Sequence, residues 1–115
     1  MLKIYHNPKC KKSREGLKYL QDKGIDLEIV NYIKDGITES ELSEIIMKLN
    51  LKPVDIIRTQ EEQYRKELKG KKFTDLEWIK ILVENPRLIE RPIIVARHKA
   101  VIAQPPHKAD ELLKY

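Results

Sequence analysis

Residues 2–30 read LKIYHNPKCKKSREGLKYLQDKGIDLEIV, and the fold follows from how this run divides. Leu2 to Tyr5 is short, with apolar residues at 2, 4 and 5, which is the pattern of a strand entering a core. Lys12 to Lys23 carries Leu17, Tyr19 and Leu20 on a helical repeat and stops at Gly24, a natural helix terminator. Leu27 to Val30 is a second strand. A strand, a helix and a strand in so short a run predict a βαβ unit, whose right-handed crossover makes the two strands parallel. The helix then opens just past Cys10, at the carboxyl end of the first strand, where open α/β sheets hold ligands.

Cys10 is the only cysteine of the chain. Lys9, Lys11, Lys12 and Arg14 surround it with positive charge, and a helix starting at Lys11 or Lys12 aims its unpaired N–H groups at the sulfur. Both effects favour thiolate over thiol. An inert core cysteine would have apolar neighbours, whereas this one follows a proline-containing turn and precedes Lys11-Lys12-Ser13-Arg14. Without a second cysteine, an adduct on Cys10 has to be released by an external thiol such as glutathione and then glutaredoxin. Ser13 occupies the place of the second cysteine in a Cys-x-x-Cys motif. It suits either a hydrogen bond to the thiolate or capping of the helix N-terminus. One cysteine, with His6, His98 and His107 at no ligand-like spacing, gives no metal site, and no bound cofactor is expected.

The 115 residues fit one domain spanning 1–115, large enough for a core without disulfides. The net charge of +5 is spread among acidic residues and aromatics make up only 6%, so a solvated mixed-charge surface is expected, with no direct nucleic-acid binding. Met1-Leu2-Lys3-Ile4-Tyr5 meets a charge too soon for a signal sequence, and no apolar run reaches membrane-spanning length. A soluble, cytoplasmic protein without membrane contact is expected.

A helical insertion is predicted at about 38–85. Thr38-Glu39-Ser40-Glu41 has the form of a capping box before Leu42, Ile45, Ile46 and Leu49, and Pro53 opens a short turn ahead of Arg58. Gln60 to Lys69 is a charged surface segment ended by Gly70. Thr74-Asp75-Leu76-Glu77 is a second capping box, in which Phe73 staples onto Trp78, and the helix runs over about 75–84 to Asn85-Pro86. Ile93 to Ala96 and Ala100 to Ala103 read as an antiparallel hairpin turning near His98-Lys99, and Pro105-Pro106 opens a last helix through Leu113. The order β-α-β, helical block, β-β-α is the layout of a thioredoxin/glutaredoxin-like α/β fold with a mixed four-stranded sheet.

Tyr5-His6-Asn7-Pro8-Lys9-Cys10 with Ser13-Arg14, the Arg58 segment, Lys72-Phe73-Thr74-Asp75 and the run Asn85 to Val95 resemble, in order and spacing, the glutaredoxin-dependent arsenate reductase (ArsC-like) family over nearly the whole chain. The resemblance implies a thioredoxin-like fold in which the Cys10 thiolate attacks arsenate or another oxidised substrate, His6 contributes to the low thiol pKa, and glutathione acts as co-substrate. It makes Arg58 and Arg91 two of the family's three oxyanion arginines and Pro92 a cis proline opening the strand that faces the cysteine. The third arginine should fall before the proline that follows the last strand, where this chain has Gln104. A typical reductase has Gly-Thr after the cysteine; here Lys11 and Lys12, with Arg14, are further candidate anion contacts. The alternative within the resemblance is a regulator of the Spx type, which binds RNA polymerase without catalysis, although the Cys-x-x-Cys switch common in those proteins is missing here.

Overall fold

In the computed structural model, which describes residues 2–113, β1 (Leu2–Tyr5) lies inside a four-stranded sheet of order β2-β1-β3-β4. It pairs in parallel with β2 (Leu27–Val30), Leu2 opposite Leu27 and Tyr5 opposite Val30, and the bond from His6 N–H to the Val30 carbonyl at 2.9 Å extends this ladder. On its other side β1 runs antiparallel to β3 (Ile93–Val95), Ile4 opposite Ile94 and Tyr5 opposite Ile93, and β3 forms a hairpin with β4 (Ala100–Ile102). The expected mixed sheet and thioredoxin-like α/β class are thus present, with both hairpin strands one residue shorter than the pattern suggested.

Side chains alternate across a strand, so the two central strands are buried on both faces. Ile4 and Ile94 share one face with Leu20 of α1 (Lys11–Asp22) and with Val101, Ala103, Ala109 and Leu112, the last two from a 3-10 helix, Pro106–Leu112. Tyr19 of α1 pins that helix by donating its hydroxyl to Asp110 at 2.7 Å. Tyr5 projects to the opposite face and meets Tyr32, ring centroids 6.5 Å apart. Tyr32 opens the short α2 (Tyr32–Asp35), which has no helical repeat and was not foreseen; the Asn31 side chain caps it by accepting from the Lys34 N–H.

The backbone separates into two compact units, one drawn from Met1–Gly36 and Arg91–Tyr115, the other Ile37–Glu90. The second unit holds α3 (Glu39–Leu49) and α4 (Asp75–Glu84), each opened by the predicted reciprocal box, Thr38 with Glu41 and Thr74 with Glu77. Phe73 meets Trp78 edge to face, with centroids 4.8 Å apart and planes at 77°, as the staple required. Within the charged segment before Gly70, Tyr64–Leu68 forms a π-helical turn with no buried residue. Pro53–Ile56 and Pro86–Leu88 are 3-10 turns that lead into a bridge between Ile57 and Ile89.

Ile94, fully buried on a central strand, tests this core. Ile94→Ala should cost about 2–5 kcal/mol in a denaturant melt; a loss well under about 1 kcal/mol would mean that the strand is not packed as described.

Candidate active site

The segment between β1 and α1 is tied to a few backbone groups. Asn7 does three things: its side chain accepts from the Lys9 N–H at 3.1 Å, its carbonyl accepts from the Cys10 N–H at 3.0 Å, and its own N–H donates to the Ser13 hydroxyl at 3.0 Å. Cys10 is left as the N-cap residue of α1 with extended backbone, its carbonyl accepting the first helical bond from Arg14 N–H at 3.0 Å. Its side chain, partly buried, sits at the helix end where N–H groups lack intrahelical partners.

Burial pushes the Cys10 thiol pKa up, and this is more than offset by the Arg91 side chain, which hydrogen-bonds the sulfur and adds its charge, and by the backbone N–H groups of Ser13 and Lys12. The net direction is down, toward thiolate. The source differs from the one the local charge suggested: a guanidinium brought in by β3 and two helix N–H groups, rather than the side chains of Lys9, Lys11, Lys12 and Arg14. The physical reason is solvent. Lys11, 82% exposed, reaches only Glu15 at 4.0 Å, Lys9 and Lys12 are exposed, and Arg14 turns back to donate to the Pro8 carbonyl at 2.9 Å. Charges in water are screened, whereas Arg91, only 7% exposed, acts at close range in a poorer dielectric.

Ser13 serves Cys10 through its backbone N–H and not through its hydroxyl. The hydroxyl, fully buried, lies 2.7 Å from His6 Nδ1 while accepting from Asn7 N–H. Burial and then the charge of Arg14 lower the His6 pKa, so the ring is neutral near pH 7, and the Ser13 O–H is placed to donate to an unprotonated Nδ1. His6 is not among the groups that lower the thiol pKa; it holds the turn from which Cys10 projects.

The Arg91-Pro92 bond is cis, and so is Gln104-Pro105. Gln104 is partly buried and donates its N–H to the Ile102 carbonyl at 2.9 Å. In the second unit, Arg58 follows the Ile57 bridge, donates its N–H to the Leu88 carbonyl at 2.7 Å, and places Nη1 2.9 Å from Glu61. One residue escaped the sequence reading. Gly16 is buried on the same face of α1 as Ser13 and Leu20, against Pro92. A glycine inside a helical repeat was the available signal. Among the described residues no three His, Cys, Asp or Glu side chains gather as metal ligands would, and no helix is long and apolar enough to cross a membrane.

A buried histidine with a lowered pKa has a signed consequence. As pH falls through the ordinary imidazole value, the unfolded chain takes up the proton before the folded one, so stability is lost on acidification and fully present above that value. Unfolding free energy should therefore decline from about pH 7.5 to about 5.5, and His6→Gln should flatten the slope. A slope unchanged in His6→Gln would assign it to other groups.

A model of the ArsC family matches residues 5–112, a range that holds Cys10, Arg58, Arg91 and Gln104. The arsenate reductase of Haemophilus influenzae is 39% identical over 112 residues, 96% of this chain and 97% of that protein. The arsenate reductase of Escherichia coli is 32% identical over 111 residues, covering 96% and 79%. The solved structure of an arsenate reductase from Vibrio cholerae aligns with a TM-score of 0.89 at 36% identity, over 96% of this chain and 95% of that one. With the sheet order, the cysteine at the helix N-terminus and this match along nearly its whole length, the chain belongs to the ArsC family.

Proposed function

We propose that the protein is a thiol-dependent oxidoreductase that reduces an oxyanion of the arsenate type on Cys10, with glutathione and glutaredoxin supplying the electrons. The observation that carries this reading is the Arg91 guanidinium on the Cys10 sulfur, which favours the nucleophilic thiolate and leaves a cation beside any anion that the sulfur attacks. Relatives named as arsenate reductases supply the substrate class.

The chemistry balances with two external thiols. The Cys10 thiolate attacks arsenic(V), forming an S–As bond as one oxygen leaves, protonated, as water. A glutathione thiolate then takes Cys10 into a mixed disulfide, and the electron pair of the S–As bond stays on arsenic, now arsenic(III). A second thiol, on glutathione or glutaredoxin, breaks the mixed disulfide and returns Cys10 as thiolate. Overall, one arsenate and two thiols give one arsenite, one disulfide and one water. Arg91 stabilises first the thiolate and then the anionic adduct.

Gln104 limits the rate with arsenate. An amide can donate to an oxyanion but has neither the charge nor the fork of a guanidinium. One charge-assisted hydrogen bond is worth roughly 1.5 to 3 kcal/mol, a factor of about 10 to 150. Arsenate reduction measured with glutathione and glutaredoxin should be weak, should vanish in Cys10→Ser, and should gain kcat/KM in Gln104→Arg by about tenfold or more. Efficient turnover that Gln104→Arg leaves unchanged would refute the role of the third position. Absence of turnover together with stable binding to RNA polymerase would replace the enzyme by a regulator.

A further inference from the structure

Gly16 lies on the buried stripe of α1 that also carries Ser13 and Leu20, and it faces the ring of Pro92. A Cβ at this position would stand 2.6 Å from Pro92 Cγ, 3.6 Å from Cδ and 3.7 Å from Pro92 Cβ. Real carbon atoms do not approach to the first of these distances, and the usual relief, a flexible side chain swinging aside, is not available. The Pro92 ring is closed on its own backbone and fully buried, and the Pro92 carbonyl accepts from the Ala103 N–H at 3.0 Å. Relief would have to move either α1 or the entry to β3. Helix propensity alone favours alanine over glycine inside a helix, so the missing side chain is against the interest of α1 itself.

We infer that Gly16 is a positioning residue for the thiolate: by letting Pro92 seat directly on the α1 backbone, it fixes Arg91 and the first N–H groups of α1 on the same sulfur. The connection is short. Arg91 precedes Pro92 in the chain, and Ser13, whose N–H faces the sulfur, lies one turn before Gly16 in the same helix. A shift between α1 and β3 that separated these two sources would leave the thiol to the burial that raises its pKa. The inference deepens the proposed role of Cys10, and its readout is the titration of the thiol, so it can fail while that role stands.

The test is the pH dependence of Cys10 alkylation by iodoacetamide in the full chain, measured for the natural protein, Gly16→Ala and the helix control Lys18→Ala. In Gly16→Ala the midpoint should rise, lowering the alkylation rate below the midpoint by on the order of 3- to 10-fold, since each pKa unit is tenfold in thiolate. Lys18→Ala should leave it in place. A merely structural glycine would change the melting temperature and not the midpoint, so a folded Gly16→Ala with an unchanged midpoint overturns the inference. Should Gly16→Ala not fold in buffer alone, the same titration is run on it in trimethylamine N-oxide, which favours the folded state, beside the natural protein in the same solution; the midpoint should again rise, and an unchanged midpoint there is equally fatal.

Discussion

The contact between the Arg91 guanidinium and the Cys10 sulfur is what the rest of the first unit is arranged to make. A buried guanidinium is costly unless a counter-charge and hydrogen bonds accompany it, and a partly buried thiolate has the mirror-image problem. Each meets part of the other's need, although Arg91 Nε stays buried without a hydrogen bond. The two residues are far apart in the chain, and the sheet brings them together. Pairing Tyr5 with Ile93 in an antiparallel register puts the end of β1 and the start of β3 at the same edge, so the segment that leaves toward Cys10 and the one that arrives from Arg91 emerge side by side. The Asn7 and Ser13 hydrogen bonds then fix the first segment, and Pro92 against α1 fixes the second.

The opposing influences on the thiol also matter for its chemistry. Burial alone would keep the sulfur protonated and inert; full stabilisation of the anion would make it abundant but a poorer nucleophile. Burial works against Arg91 and two N–H groups, and the net direction is toward the thiolate. With no second cysteine, the resolving thiol has to come from outside, which requires the sulfur to stay reachable, and Cys10 is only partly buried in a site where His6, Asn7, Ser13 and Arg91 are buried.

Local signals in the sequence were read well and distant ones poorly, for a physical reason. Short apolar runs located all four strands, and Thr38-x-x-Glu41 and Thr74-x-x-Glu77 announced two helix starts, because those interactions close within one turn of chain. Cys10 stood out through its neighbours in sequence, but those neighbours turned out to be solvated. The charge that bears on the sulfur comes from a residue whose proximity only the sheet register creates. Ser13 was legible as a cap or a thiolate donor, yet which of its groups served which partner depended on His6 being turned inward. Gly16 stood out only as a glycine inside a helical repeat, because its meaning lies in Pro92, a residue distant in the chain. The short α2 went unseen because four residues carry no repeat.

The measurement that bears most directly on this account is a thiolate titration, by ultraviolet absorbance, of three proteins: the natural chain, Arg91→Gln, and a chain with Lys9→Gln, Lys11→Gln and Lys12→Gln together. The natural midpoint should lie below the value of about 8.5 for a free cysteine. The lysine-depleted chain should titrate close to the natural one, and Arg91→Gln should titrate clearly higher. A midpoint that rises on loss of the lysines and holds on loss of Arg91 would contradict the account, and would return the control of Cys10 to the charges beside it in the chain.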